Sequence, residues 1–453
     1  MYEPPGRAAA FTARVRAARR LPSSLGIRPG GRPLPGRLGR RPSSQRLLAL
    51  LAGVALLAGG VAGALPRAAA AVNDAPDETW VANGDVNSVF SAGGRVYLGG
   101  DFDQVGPSTG SGVPLDPSTG ALATTFPKVN GPVYTAVPDG AGGWYIGGSF
   151  TRVGDLSRQN AARVLADGTV GGWNPNTDLA VRAIVLARGP GANVAWIGGD
   201  FTVLNRSSAP VAAPGLAATN LFTGAALWGM ASSSTGSVLA LALSGDGSRL
   251  LAAGDFTALG GALRSRLAAV DPVTGAIDAA FNPGADGAVR ALATAPDGRV
   301  FAGGDFTRIA GRAQAHLAAL AATGAADPAW QADADGPVDA VALSPDGARL
   351  YAAGAFTRAG GAARRGLAAL STAGTGAVDP AWDPATTGGL APVEIRAVAL
   401  SPDGTRLYAG GGDDNDNPAL LGAPRRLLVA VDASTGAVDL GFDPRPAAAT
   451  MTL

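Results

Sequence analysis

Residues 301–311 read FAGGDFTRIAG, and the same pattern returns along the whole chain. It stands as YLGGDFDQVG at 97–106, YIGGSFTRVG at 145–154, AWIGGDFTVLN at 195–205, LAAGDFTALGG at 251–261 and YAAGAFTRAGG at 351–361. A decayed seventh copy, YAGGGDDNDN, occupies 408–417. Aligned on Phe102, Phe150, Phe201, Phe256, Phe306 and Phe356, the copies are separated by 48, 51, 55, 50 and 50 residues. No other feature constrains the fold as strongly. A unit of that size cannot bury its apolar face alone, so it must stack on its neighbours.

The fifth unit shows the internal plan. AVRALAT is a short apolar strand, APDG a hairpin turn and RVFAGGDF a second strand; after the loop TRIAGRAQ comes HLAALAA, then TG as a turn and AADPAW as a fourth segment. First strands recur as VRAIVL (181–186), VLALAL (238–243), VDAVAL (338–343) and IRAVAL (395–400). Turns with Asp-Gly recur at 244–247, 344–347 and 401–404, where this dipeptide is expected to supply the positive backbone angles of a tight hairpin. Each fourth segment ends in an aromatic residue: Phe126, Trp173, Trp228, Phe281, Trp330, Trp382 and Phe442. Four short strands in roughly 50 residues make the blade of a β-propeller. The sequence therefore predicts an all-β chain with a seven-bladed β-propeller over 72–446 and a short tail at 447–453. A β-solenoid would need shorter rungs, and the apolar runs are too short and too interrupted by Gly and Pro for helical repeats. Trp80 sits where an eighth blade-end aromatic would, which fits a clasp closing the ring.

Composition narrows the chemistry. The chain has no cysteine, which excludes disulfides and thiolate sites, and His316 is its only histidine, so no multi-histidine metal centre is available. The net charge of +1 hides a segregation. Twelve of the 36 basic residues and one of the 35 acidic residues lie in 1–71, which leaves 24 against 34 in the remainder. A domain that acidic repels nucleic acid and anionic lipid.

Residues 1–46 are rich in Arg, Pro, Ser and Gly, and 47–65 read LLALLAGVALLAGGVAGAL, followed by PRAAAAV. A basic stretch, an apolar run and small residues suited to cleavage describe a secretory signal over 1–71, cut after Ala70 or Ala71. The rival is an uncleaved anchor, since 19 apolar residues are long enough to span a bilayer. Both place the repeat domain outside the cytoplasm, at the cell surface or secreted.

The run APDGRVFAGGDFTRIAGRAQAHLAAL, followed by an aromatic and Pro, resembles the delta-60 type of β-propeller repeat found in bacterial exported proteins. The resemblance extends over about 80–444. Kelch repeats share the apolar residues before a double glycine, as in RVYLGG (95–100), and quinoprotein propellers share a turn like that of DPVTGAIDAAF. What the resemblance implies is a propeller fold and an exported location; it brings no catalytic residues with it.

Candidate sites divide into repeated and divergent positions. Asp101, Asp200, Asp255 and Asp305 would form a carboxylate ring, but the equivalent residues are Ser149 and Ala355, and a nearby arginine recurs as Arg158, Arg264, Arg312 and Arg364. Turn bonding between these acids and arginines is expected, with the blade-end aromatics packing between blades. The copies disagree at the start of the first strand, which lines the channel of a propeller: Asn87, Tyr134, Arg182, Leu239, Arg290, Asp339 and Arg396. Three arginines in such a ring could hold a carboxylated ligand unless each pairs with an acid on the next blade. DDNDN offers Asp413, Asn415 and Asn417 at the alternate spacing of calcium loops, yet Pro418 stands where glycine belongs and Pro424 where the closing acid belongs, which favours a solvated loop. Otherwise no cofactor is expected. No nucleophile elbow or phosphate loop occurs. The expected function is an exported, monomeric binding or scaffolding module for a protein or glycan, touching a membrane only through an N-terminal anchor. The alternative is an extracellular enzyme acting on glycans or other polymers through Asp residues at the channel mouth.

Overall fold

The computed structural model describes residues 80–82, 85–92, 95–101, 105–107, 111, 115–121, 126–189, 192–227, 232–384, 394–411 and 428–442; at 80–107, 188–192 and 232–233 the description is of the backbone alone. The signal segment, Phe102, Trp228, the calcium candidates Asp413, Asn415 and Asn417, and the tail lie outside these residues. Residues 73–453 form one compact unit. Among the described residues there is no helix.

The repeating element is an antiparallel hairpin followed by a third strand. In the fifth copy Val289–Thr294 pairs with Val300–Gly304, which pairs with Leu317–Leu320. The same order holds for Val133–Pro138, Trp144–Gly148 and Ala161–Val164, and for Val338–Leu343, Arg349–Gly354 and Leu367–Ser371. In the hairpin turns only the glycines (Gly247, Gly298, Gly347, Gly404) have positive φ. The aspartate beside each one acts otherwise than the Asp-Gly pattern suggested. Asp346 accepts from Ser344 Oγ and from the Ala348 amide at 3.0 Å, bracing the turn from outside.

Two features depart from four regular strands. The fourth segment is reduced in most copies to a single bridge, such as Leu320↔Ala326 or Leu370↔Val378. Asp327 and Asp379 accept amide bonds two residues ahead, from Ala329 at 2.9 Å and Ala381 at 3.0 Å, and curl the chain out of the ladder. Pro328 and Pro380 also lack an N–H to donate. The segment read as a plain loop after the glycine motif is instead a miniature hairpin, Arg308–Ile309 with Arg312–Ala313. Its turn residues Ala310 and Gly311 both take positive φ, 49° and 77°, as the tightest hairpin turns require.

The apolar core lies between copies rather than within them. Leu251, Ala253 and Phe281 of copy 4 share one cluster with Val289, Val300, Ala302 and Phe306 of copy 5. Phe301 and Trp330 of copy 5 share the next with Val338, Leu350 and Phe356 of copy 6. Alternate residues of each second strand therefore face opposite neighbours, which explains why runs such as VFAGG are apolar throughout. Trp173, Phe281, Trp330, Trp382 and Phe442 are buried as expected of blade-end aromatics. Trp330 packs edge-on against Phe301 with ring centroids 5.6 Å apart, and its Nε1 donates to the Ser371 carbonyl of copy 6 at 3.0 Å.

Polar staples repeat across the described junctions. Arg249 Nη1 donates to Ala322 O at 2.6 Å, Tyr351 Oη to Ala433 O at 2.7 Å, and Trp196 Nε1 to Pro272 O at 3.0 Å, each reaching the third-strand turn of the next copy. In copy 7, Arg406 Nη1 and Tyr408 Oη make the equivalent bonds, at 3.0 and 2.7 Å, to the carbonyl of Pro117 in copy 1. Trp80–Ala82 pairs with Val105–Pro107 of its own copy, and copy 7 supplies its own outer bridge, Val431↔Val438.

The double glycine has two separate steric duties. A Cβ on Gly303 would lie 2.5 Å from Val338 Cγ1, yet copies 4 and 6 carry Ala253 and Ala353 there. A Cβ on Gly304 would lie 2.1 Å from the Ala288 carbonyl oxygen, and Gly148, Gly199, Gly254, Gly354 and Gly411 face the same backbone obstruction at 2.0–2.2 Å. Gly304→Ala should therefore lower stability by about 1–3 kcal/mol, and Gly303→Ala by clearly less, when unfolding is followed in urea.

Candidate functional site

The backbone obstruction at the second glycine coincides with a break in the ladder. In copy 5 Val289 pairs with Gly304, but the next pair is Ala291 with Gly303, so Arg290 has no partner and forms a β-bulge. The same irregularity occurs at Asn87, Tyr134, Arg182, Leu239, Asp339 and Arg396. Each of the seven divergent first-strand positions is thus a bulge residue, removed from pairing and re-aimed. The preceding residue is buried in the core: Val181, Val238, Val289, Val338 and Ile395 are fully enclosed. The Asn87 side chain lies outside the described side chains.

Neighbouring bulge residues meet. The Arg182 guanidinium stands over the Tyr134 ring, 5.0 Å from its centroid. Arg290 Nε lies 3.7 Å from Asp339 Oδ1 of the next copy. Leu239 is half-buried between the two groups.

The arginines also find acids within their own copies. Arg182 Nη2 is 2.8 Å from Asp200 Oδ2, and its Nε contacts both carboxylate oxygens at 3.0 and 2.9 Å. Arg290 repeats this arrangement with Asp305, and Arg396 Nη2 lies 2.8 Å from Glu394. The acid of the glycine motif is therefore the partner of the bulge arginine. The expected pairing with Arg158, Arg264 and Arg364 does not form. Those side chains instead donate to carbonyls of the fourth segment: Gly171 O at 2.9 Å, Asp278 O at 3.1 Å and Asp379 O at 2.7 Å. In copy 5 this place is taken by Gln314, bonded to Ala332 O at 3.1 Å, rather than by Arg312, which lies two residues earlier.

Electrostatics single out one carboxyl. Burial works against ionisation of Asp200, but the Arg182 guanidinium outweighs it and holds the acid below its ordinary value. Asp339 goes the other way. Burial pushes its carboxyl up, the Glu394 and Asp305 charges add to the rise, and Arg290 offsets only part. Its Oδ2 is buried without a hydrogen-bond partner.

Sequence reasoning missed the residue three positions before the first-strand anchor. Asp286 accepts from the Thr307 and Arg308 amides, both at 2.8 Å, and from Thr307 Oγ1 at 2.7 Å. Asp178, Asp335, Asn130 and Thr235 bond the equivalent amides. The pairing of these residues with the threonine of G-x-F-T was visible as a recurrence, but only across some 20 residues of sequence. His316 is also structural. It adopts φ 64°, as do Asn160 (64°), Arg266 (68°) and Gly366 (74°) at the same step, and its amide donates to Phe306 O at 2.8 Å. Its counterpart in copy 4 is Arg266.

Residues 295–329 match the model of a family described as a domain of unknown function (DUF5122) forming a β-propeller. The matched stretch holds the hairpin turn, the second strand with its glycine motif, the third strand and the fourth segment of copy 5. Together with the all-β packing of successive antiparallel sheets, this identifies a β-propeller repeat. Comparison with curated proteins finds no match.

Because the fold raises the pKa of Asp339, the protonated acid is the form it favours. The stabilisation is complete below the unfolded value of 3.8 and is lost as pH rises through the raised folded value. Asp339→Asn should therefore raise the urea midpoint at pH 7 and leave it nearly unchanged at pH 3.5. A lower midpoint at pH 7 would contradict the sign.

Proposed function

We propose that residues 72–446 form a closed, seven-bladed propeller of the delta-60 type, exported by the N-terminal segment and used as an extracellular binding or scaffolding module. The ligand seats on the ring of bulge residues. One observation carries this reading. In each copy the residue released from the ladder stands where the copies diverge, so one repeated framework presents five kinds of side chain (Asn, Tyr, Arg, Leu and Asp) around the ring. The bonds from Arg406 and Tyr408 to Pro117 support closure, being of the kind found at the other described junctions. With Arg182, Arg290 and Arg396 each beside a carboxylate, the ring offers mixed polar chemistry rather than a bare cationic patch.

A second reading rests on Asp339. A buried carboxyl with a raised pKa is what a general acid for glycan cleavage requires, with Glu394 or Asp305 as the second acid. Loss of glycan hydrolysis in Asp339→Asn, with binding retained, would favour this enzyme.

The binding reading is tested by co-sedimentation of the secreted chain with a bacterial cell-envelope fraction. The expected result is retention by the envelope, weakened at least about tenfold (~1.4 kcal/mol) in the triple variant Arg182→Ala, Arg290→Ala, Arg396→Ala. A correctly folded triple variant that sediments like the parent would refute the site. A chain that never sediments would refute the module.

A further inference from the structure

Copies 2 and 3 each place an exposed apolar side chain at the bulge or shortly before it. Tyr134 is the only aromatic residue among the seven bulge positions, and it is 47% exposed. Its ring is held by the Arg182 guanidinium, whose plane is fixed in turn by the three contacts to Asp200. Leu179 is the second departure. Copies 2, 4, 5 and 6 place Gly131, Gly236, Gly287 and Gly336 at that step, where an added Cβ would lie 2.3–2.7 Å from Ser149 O, Asp255 Oδ1, Asp305 O and Ala355 O. Copy 3 carries a leucine there instead, 51% exposed. Neither side chain belongs to the clusters that hold the blades together.

One exposed aromatic ring therefore stands against an ion pair that is neutral as a unit, and exposed Leu179 lies three residues before Arg182 in the chain. That combination selects among ligands. An anion would find Arg182 already neutralised, and the acid excess of the domain repels it. A cation placed on Tyr134 would meet the guanidinium that already stands over the ring. A neutral ligand with an apolar C–H face and several hydroxyls meets neither obstacle. Its C–H face covers the phenol ring and Leu179, while hydroxyls bond the outer edges of the guanidinium and carboxylate.

We infer that Tyr134, Leu179 and the Arg182–Asp200 pair form a subsite for one neutral pyranose unit of an extracellular glycan. The inference rests on the binding reading above and names its ligand class. Free oligosaccharide and wall polysaccharide share this chemistry, and the test separates them.

The secreted chain is titrated calorimetrically with cellohexaose, maltohexaose and chitohexaose, and in parallel sedimented with the matching insoluble polymers. At least one neutral glycan should bind. Tyr134→Ala should weaken it about tenfold or more, whereas Tyr134→Phe, which keeps the ring, should stay within about threefold. Arg182→Lys, which cannot hold the bidentate plane, should weaken it as well. Binding to insoluble polymer alone would support the subsite and assign it to polysaccharide; binding to the soluble hexasaccharides would extend it to free chains. Tyr134→Ala binding as tightly as the parent would overturn the subsite. So would failure of every neutral glycan while arginine-dependent envelope sedimentation persists, an outcome that removes the sugar but leaves the binding module. Loss of envelope sedimentation together with glycan binding in the parent chain would remove both.

Discussion

A carbonyl oxygen about 2 Å from where a Cβ would stand is the contact on which this molecule depends. It recurs at Gly148, Gly199, Gly254, Gly304, Gly354 and Gly411, and each time the oxygen belongs to the residue just before the first strand. Only glycine admits that approach. The approach in turn displaces one residue of the first strand, so the glycine motif and the bulge are two sides of one arrangement. Arg182 or Arg290 then bonds the acid that follows the glycines, which ties the displaced residue back to the motif that displaced it.

Around this arrangement the interactions run mainly from one copy to the next. Small residues on the second and third strands let the sheets approach closely, and Phe256, Phe306 and Phe356 fill the space left at one end of the junction. Arginine and aromatic donors on the second strand tie each copy to a carbonyl of the next. A single hydrogen bond of this kind contributes about 0.5–1.5 kcal/mol. The apolar junctions therefore carry most of the stability, while the staples fix the angle at which blades meet. The Asp286 type of clasp does a third job, fastening the miniature outer hairpin to the chain entering the blade.

Much of this was legible in the sequence because repetition averages out local ambiguity. The period, the first and second strands, the blade-end aromatics and the divergent ring all follow from aligning Phe150 to Phe356. What escaped notice depended on distance or on hydrogen bonds. The fourth segment reads as a strand until the Asp327 and Asp379 carboxylates are seen to curl it. Arg264 and Arg364 lie close to the motif acids in sequence but point to carbonyls of the following segment. The true partners, Arg182 and Arg290, precede those acids by 18 and 15 residues, across a full hairpin. Tyr134 was legible as a divergent position, though its exposure was not, and Leu179 stood out only against the crowded glycines of the other copies.

A residue excluded from the ladder contributes no pairing that its neighbours require. Replacing Arg290 by leucine, or Asp339 by tyrosine, would leave the hairpin bonds on either side in place. Each blade therefore holds a site that can change without renegotiating the fold. Duplication of such a unit multiplies the number of sites while every new copy inherits the same scaffold. The molecule separates what must be kept from what is free to vary, and it does so within two adjacent residues of a strand.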